Sequence, residues 1–390
     1  MRFSTFWDRT KLRWRLAWAR LTAAFGLGAK PPSVDTRLDT APASSAPPAP
    51  PPQSEAPAAF AENEAIEVSE QEAPIATPDT RVAAQPARWL TGTAKNEAGR
   101  MMPWVFVPPE RKYRLYLPAA AAHTPPRALV VMIHGCRQGA VSFAHGTRFN
   151  ALADQHHFAV LYPDQLDLAN PQRCWNWFEA RTLSGQGEAA ILESMIESAA
   201  RRAKVDAQSV VVAGMSSGAA LAALLAFQQP ARFAGVVVHS GLPPHAAHSV
   251  GSALEAMRHG SKLDIAALTH LYWARQQLPP PPLRILHGDA DAVVHPLNAD
   301  RLFDLWASLH QAETPMILQK HERTLTPPNA RDYHVTTLRA EHHVVVEKIV
   351  LRGLGHAWSG GDASLPFNDA SEPSASAMLA QWVQQVVVSR

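Results

Sequence analysis

Residues 210–218, Val-Val-Val-Ala-Gly-Met-Ser-Ser-Gly, run an apolar stretch straight into G-x-S-x-G, and an alanine- and leucine-rich segment follows as far as Pro230. This is the form of a nucleophile elbow, a strand-to-helix turn that holds the central serine strained and accessible above a parallel sheet. Ser216 is thus the candidate nucleophile. A serine hydroxyl attacks poorly at neutral pH, so it needs a general base, and the base needs an acid to fix its tautomer. In chains of this design the order is serine, then Asp or Glu, then histidine. Asp291 and His356 fit that order. Two residues separate Asp291 from His287-Gly288, which ends an apolar run, and this places its carboxylate beyond a strand end. The nearby Asp289 is the alternative acid, better suited to stabilising the turn. His356 follows the last apolar run in Leu351-Arg352-Gly353-Leu354-Gly355-His356. For the oxyanion of a tetrahedral intermediate, the expected donors are the backbone N–H groups of Ser217 and of Cys136, in His134-Gly135-Cys136. His134 precedes the serine and ends a strand, so a structural hydrogen bond is expected of it.

The chain has 18 histidines. The adjacent pairs His156-His157 and His342-His343 point apart on helix or strand, and no H-E-x-x-H or C-x-x-C occurs. No metal and no other cofactor is expected. Cys136 and Cys174 are the two cysteines. They are either buried thiols or a disulfide, which would close a long loop worth about 4 kcal/mol in the chain-entropy model and pin the donor loop against Cys174-Trp175-Asn176-Trp177-Phe178. Trp175, Trp177 and Trp358 are expected either as walls for an acyl chain or as core aromatics beside the site.

Elements must carry these residues to one place. Tyr113, Leu115 and Leu117 alternate as in a half-buried antiparallel strand. Short apolar runs at 128–133, 159–162, 209–213, 234–238, 283–286 and 348–351 read as buried strands. Helical patterns at 187–203, 217–229 and 297–310 lie between most of them. Strands alternating with helices predict an α/β fold, a mostly parallel central sheet with helices on both faces. Residues 240–282 form an excursion, and a last helix carries Met378, Leu379, Trp382, Val383 and Val386.

Residues 99–390 are expected to form the catalytic domain. Residues 31–98 are rich in Pro, Ala and Glu and read as a disordered linker. Residues 1–30 hold seven cations against Asp8, a net +6 that leaves the rest at −4 in a chain of +2 overall. The basic balance therefore belongs to this segment, and no nucleic-acid-binding stripe is expected. Its cations alternate with Phe3, Phe6, Trp7, Leu12, Trp14, Leu16 and Trp18. It reads as a basic amphipathic segment able to touch a membrane or granule surface, since Arg15 and Arg20 break the apolar run an export signal needs; the apolar, Ala-rich 16–28 stretch keeps an export signal as the alternative. The oligomeric state is not legible.

Seven blocks occur together in order: 113–118 (YRLYLP), 134–138 (HGCRQ), 162–165 (YPDQ), 174–178 (CWNWF), 214–218 (GMSSG), 287–291 (HGDAD) and 355–361 (GHAWSGG). On these the chain resembles the polyhydroxybutyrate depolymerase family of esterases, with a type 1 catalytic domain and an α/β-hydrolase fold. The resemblance implies Ser216, Asp291 and His356 as a triad, Cys136 and Ser217 as an oxyanion hole, and a Cys136–Cys174 disulfide. It implies hydrolysis of polyester or small ester substrates, with acetylxylan or feruloyl esters as the alternative. A particle-surface binding protein is the reading from another class. Secreted polymer-degrading members look modular, with a polymer-binding domain after the catalytic one, whereas this sequence ends shortly past His356. That departure and the broken apolar stretch count against insoluble polymer. The implied location is extracellular or periplasmic, or else cytoplasmic on granules.

Overall fold

Edge strands of low hydrophobicity and central strands of almost pure Val, Leu, Ile and Ala build one sheet. The computed structural model describes residues 86–388, apart from 96–99, 103–104, 108, 120–123, 314–316 and 342. The expected basic segment 1–30 and the linker up to residue 85 lie outside the described residues. In chain order the elements are β1 (Arg88–Lys95), β2 (Arg100–Met102), β3 (Val105–Val107), β4 (Glu110–Leu117), β5 (Ala128–Ile133), α1 (Ala140–Thr147), α2 (Phe149–His156), β6 (Phe158–Pro163), α3 (Ala180–Leu183) and α4 (Glu188–Ala203). Then come β7 (Val210–Met215), α5 (Ser217–Gln228), β8 (Gly235–His239), α6 (Val250–His259), α7 (Ile265–Trp273), β9 (Leu283–Gly288), α8 (Leu297–Glu313), β10 (Leu318–Leu325), β11 (Tyr333–Ala340), β12 (His343–Leu351), β13 (Trp358–Ser359), β14 (Asn368–Asp369) and α9 (Ala375–Val388).

The ten-stranded sheet has the order β1-β4-β6-β5-β7-β8-β9-β12-β11-β10. Its six middle strands, β6 through β12, are mutually parallel, and both flanks are antiparallel. This is an α/β-hydrolase fold. β5, β6, β7, β8 and β9 are buried along their whole length, as continuous apolar runs covered on both faces require. One core contains residues of α4, α5 and α8, and a second on the other side contains residues of α1, α2 and α9. α5 is buried all round from Ser217 to Phe227, so truncating Leu221 or Leu224 to alanine should cost about 2–5 kcal/mol. No helix among the described residues is long and apolar enough to cross a membrane.

Two expectations change. The linker was to extend to residue 98, yet β1 pairs with β4 in full register from Arg88 opposite Leu117 to Lys95 opposite Glu110. β10 and β11, which extend the sheet beyond β12, have no counterpart in the sequence reading. Both outer strands are mostly exposed and polar, and are held by backbone pairing that leaves little hydrophobic pattern. The excursion 240–282 holds α6 and α7.

Candidate active site

Ser216 joins β7 to α5 with φ 56° and ψ −121°, a strained conformation for a residue with a side chain. Two glycines make the turn possible. A Cβ on Gly214 would stand 2.5 Å from the Gly218 backbone, and one on Gly218 would collide with the carbonyl oxygens of Ile133 and His134. The Ser216 N–H donates to His239 O at 3.0 Å, tying the elbow to the end of β8.

The turns after β9 and β12 interlock. Asp289 N–H donates to Leu351 O, Ala290 N–H to Leu354 O, and Gly353 N–H to the Asp289 carboxylate. Asp289 therefore fastens the turn, while Asp291 faces the histidine. Asp291 Oδ1 accepts the N–H groups of Val293 (2.9 Å) and Val294 (2.8 Å), and Oδ2 lies 2.8 Å from His356 Nδ1. Such an Nδ1–H donor leaves Nε2 as the proton acceptor. Burial alone would raise the Asp291 carboxyl, but the His356 hydrogen bond, the neighbouring imidazoles and the backbone donors outweigh it and hold the acid near 2. The acid is ionised wherever the protein would work.

Two further histidines enclose this acid. His287 Nε2 lies 2.8 Å from Val294 O and 3.5 Å from Asp291 Oδ2. His239 stacks on Trp358 with centroids 4.9 Å apart. Burial lowers both imidazoles, His239 to about 3, so both are neutral near pH 7.

On the other side of Ser216, the Cys136–Cys174 disulfide joins the turn after β5 to the segment before α3. Arg137 N–H donates to Gln172 O and Gln138 N–H to Gly135 O, leaving the Cys136 N–H outside both bonds of its turn. The Ser217 N–H starts α5, where a helix leaves its first donors without internal partners. Ser217 Oγ accepts the Trp175 N–H at 3.3 Å and sits 3.5 Å from Cys136 Sγ. Beneath this segment Glu188 is 5% exposed. Its carboxylate accepts the side-chain amides of Gln165 (2.6 Å) and Asn176 (2.9 Å) and the Asn176 N–H (2.6 Å). Burial pushes the Glu188 carboxyl up, and these donors with Arg111 pull it back. His134 Nδ1 meets Gly135 O at 2.7 Å and its Nε2 accepts the Gln165 N–H, the expected structural role.

The three tryptophans are not walls. Trp175 and Trp358 are 0% exposed and Trp177 4%. Trp175 packs on His134, Trp177 on Phe178, and Trp358 lies between His239 and Phe143 with its indole N–H bonded to Ser376 Oγ. Their large apolar area is spent on bracing the loops. The sequence thus locates Ser216, Ser217, Asp291, His356, Cys136 and Cys174 at one edge of the sheet, but misses Glu188, His239 and the brace made by His287. Glu188 could be suspected only as a carboxylate opening an amphipathic helix. Among the described residues no group of three or more His, Cys, Asp and Glu is placed to hold a metal.

The family model described as Esterase PHB depolymerase matches residues 111–311. Poly(3-hydroxyalkanoate) depolymerase C of Paucimonas lemoignei is 33% identical over 186 residues, 47% of this chain and 45% of that protein, so this chain spans about half the depolymerase's length. Acetylxylan esterase A of Aspergillus oryzae is 26% identical over 212 residues, 52% of this chain and 67% of that one. The solved acetyl xylan esterase from Aspergillus awamori shares the fold, with a TM-score of 0.57 and 19% identity over 75% of this chain and 98% of that one.

Proposed function

Because the chain belongs to the esterase PHB depolymerase family, we propose that it is a serine esterase that hydrolyses poly(3-hydroxybutyrate)-type polyesters or their oligomers through an acyl-enzyme on Ser216. The observation that carries this reading is the 2.8 Å Asp291–His356 contact on the same sheet edge as the strained serine. In the first half-reaction, Ser216 Oγ attacks the ester carbonyl as His356 Nε2 takes its proton. The Cys136 and Ser217 N–H groups stabilise the oxyanion, and His356 returns the proton to the departing alkoxide. Water, deprotonated by the same imidazole, then attacks the acyl-enzyme and frees Ser216 and the acid product. Asp291, fixed by two backbone donors, keeps the imidazole in its Nδ1–H form and stabilises the imidazolium.

A second reading, esterase action on acetylated or feruloylated polysaccharide, is favoured by the likeness to acetylxylan esterase A. The disulfide supports an extracellular or periplasmic location, since such bonds persist in oxidising compartments. A panel of chromogenic acyl esters, 3-hydroxybutyrate oligomers, polymer granules and acetylxylan, run beside Ser216→Ala, tests the assignment. Hydroxybutyrate oligomers should turn over fastest, and the variant should lose orders of magnitude in kcat. Near wild-type turnover by Ser216→Ala would end the mechanism, and preference for acetylxylan would select the second reading.

A further inference from the structure

With the tryptophans buried, Phe367 is an apolar side chain beside His356 that packs on the core around Trp358 with one part and stays exposed with the rest. It precedes β14, with its ring centroid 6.4 Å from that of His356 and the ring planes at 81°. Unlike Trp358 it is only half-buried. Its φ is +64°, a conformation that glycine or asparagine adopts readily and a bulky aromatic does not.

The surrounding loop does not need a phenyl ring in order to close. Asp362 N–H donates to Gly146 O at 2.8 Å, and its carboxylate accepts the Ser364 N–H and hydroxyl. Leu365 N–H donates to Asp362 O, Asn368 Nδ2 to Pro366 O, and Trp358 N–H to the carbonyl of Phe367 itself at 2.9 Å. These bonds close the turn through backbone and polar groups and do not involve the phenyl ring. The backbone there is held against the preference of the residue it carries, which is how strain is retained at functional positions.

We propose that Phe367 is a specificity-determining residue, the apolar wall against which the acyl or hydroxyacyl chain of the ester lies as its leaving oxygen reaches His356. The inference rests on the esterase reading above. With the ring centroids 6.4 Å apart, a chain held at the imidazole lies within reach of the phenyl ring. A chain longer than acetyl gains apolar contact there, and an acetyl group gains little.

The test compares wild type with Phe367→Leu, Phe367→Ala and Phe367→Gly on acetyl, butyryl and octanoyl esters of one chromogenic alcohol, with a thermal melt of each protein. Alanine and glycine should lower kcat/KM for octanoyl relative to acetyl esters by roughly tenfold or more, with leucine retaining most of the preference. Phe367→Gly should melt no lower than Phe367→Ala, because both lose the ring's packing and only glycine relieves the positive φ. A structural role would instead make activity on all three esters fall together and follow the melting temperature, and that result overturns the proposal. An unchanged octanoyl-to-acetyl ratio in alanine and leucine variants overturns it too, even if the glycine variant does not fold. Wild type inert on every ester would overturn the esterase reading and this inference together, whereas an active wild type with indifferent variants removes only the inference.

Discussion

The two sides of Ser216 are held by different means. On the donor side, the turn carrying Cys136 is tied covalently to Cys174, and the segment beyond Cys174 is clamped by the buried Glu188 carboxylate. On the base side, His356 depends on hydrogen bonds: Asp291 to its Nδ1, and interlocked backbone bonds between the turns after β9 and β12. The difference suits the roles proposed for the two sides. An oxyanion donor works by being fixed before charge develops, so rigidity serves it. The imidazole must gain and lose a proton in each half-reaction, which an ionised acid and a hydrogen bond permit.

Breaking the base side should have the largest effect. Asp291→Asn keeps the size of the side chain but removes the carboxylate that selects the Nδ1–H form, and kcat should fall on the order of 10⁴-fold with the fold retained. Steady-state kinetics alongside circular dichroism checks this, and a loss of less than tenfold would shift the acid to Asp289. Next in size is the donor side. The native, non-reduced protein should show no titratable thiol, and Cys136→Ser with Cys174→Ser should lose about 4 kcal/mol of stability in a denaturant titration. Its kcat should drop more than its KM rises, because the donor it misplaces acts on the transition state. An unchanged kcat would mean that the bond serves stability alone.

The smallest effect is set by pH, through imidazoles buried on both sides: His134 by the donor turn, His239 and His287 by the acid. His134 must accept the Gln165 N–H at Nε2, so burial holds it to about 4, below its unfolded value near 6.5. A buried neutral histidine contributes stability that is fully present above pH 6.5 and is lost as pH falls toward 4, because the unfolded chain then binds a proton the native state refuses. That loss should reach about 3 kcal/mol. Asp291 has its folded value lowered to about 2, so its contribution is present above pH 4 and is lost only between 4 and 2. Denaturant midpoints at pH 7, 5.5 and 4.5 should decline before the acid beside His356 is protonated, and equal midpoints at all three would contradict the burial of His134.

A groove is not by itself the mark of the site. A groove of about 680 Å³, lined by residues including His321, Arg323, Arg339 and Trp382, opens beside β10, β11 and β12, toward the starts of β8 and β9 rather than their ends. It contains neither the strained serine nor the paired acid and imidazole. What distinguishes the chemical edge is preorganisation: a turn only glycines permit, and donors aimed at one carboxylate.

The candidate nucleophile, acid, base and donors were all readable from the sequence, because each follows an apolar strand in a short local pattern, and strand order carries such positions to one edge. The middle strands were readable for the same reason, since a run buried on both faces must be continuously apolar. β1 and β10 were not, because edge pairing uses the backbone and leaves little mark on side-chain pattern. Only tertiary structure decided the fate of the tryptophans, core rather than wall, since an indole's sequence neighbours do not reveal which side of a loop it covers. It also decided the surroundings of Glu188, His239 and Phe367, whose partners lie far along the chain or across a turn. Local spacing determines which chemistry a chain can attempt; long-range packing determines which side chains brace it and which are left to meet a substrate.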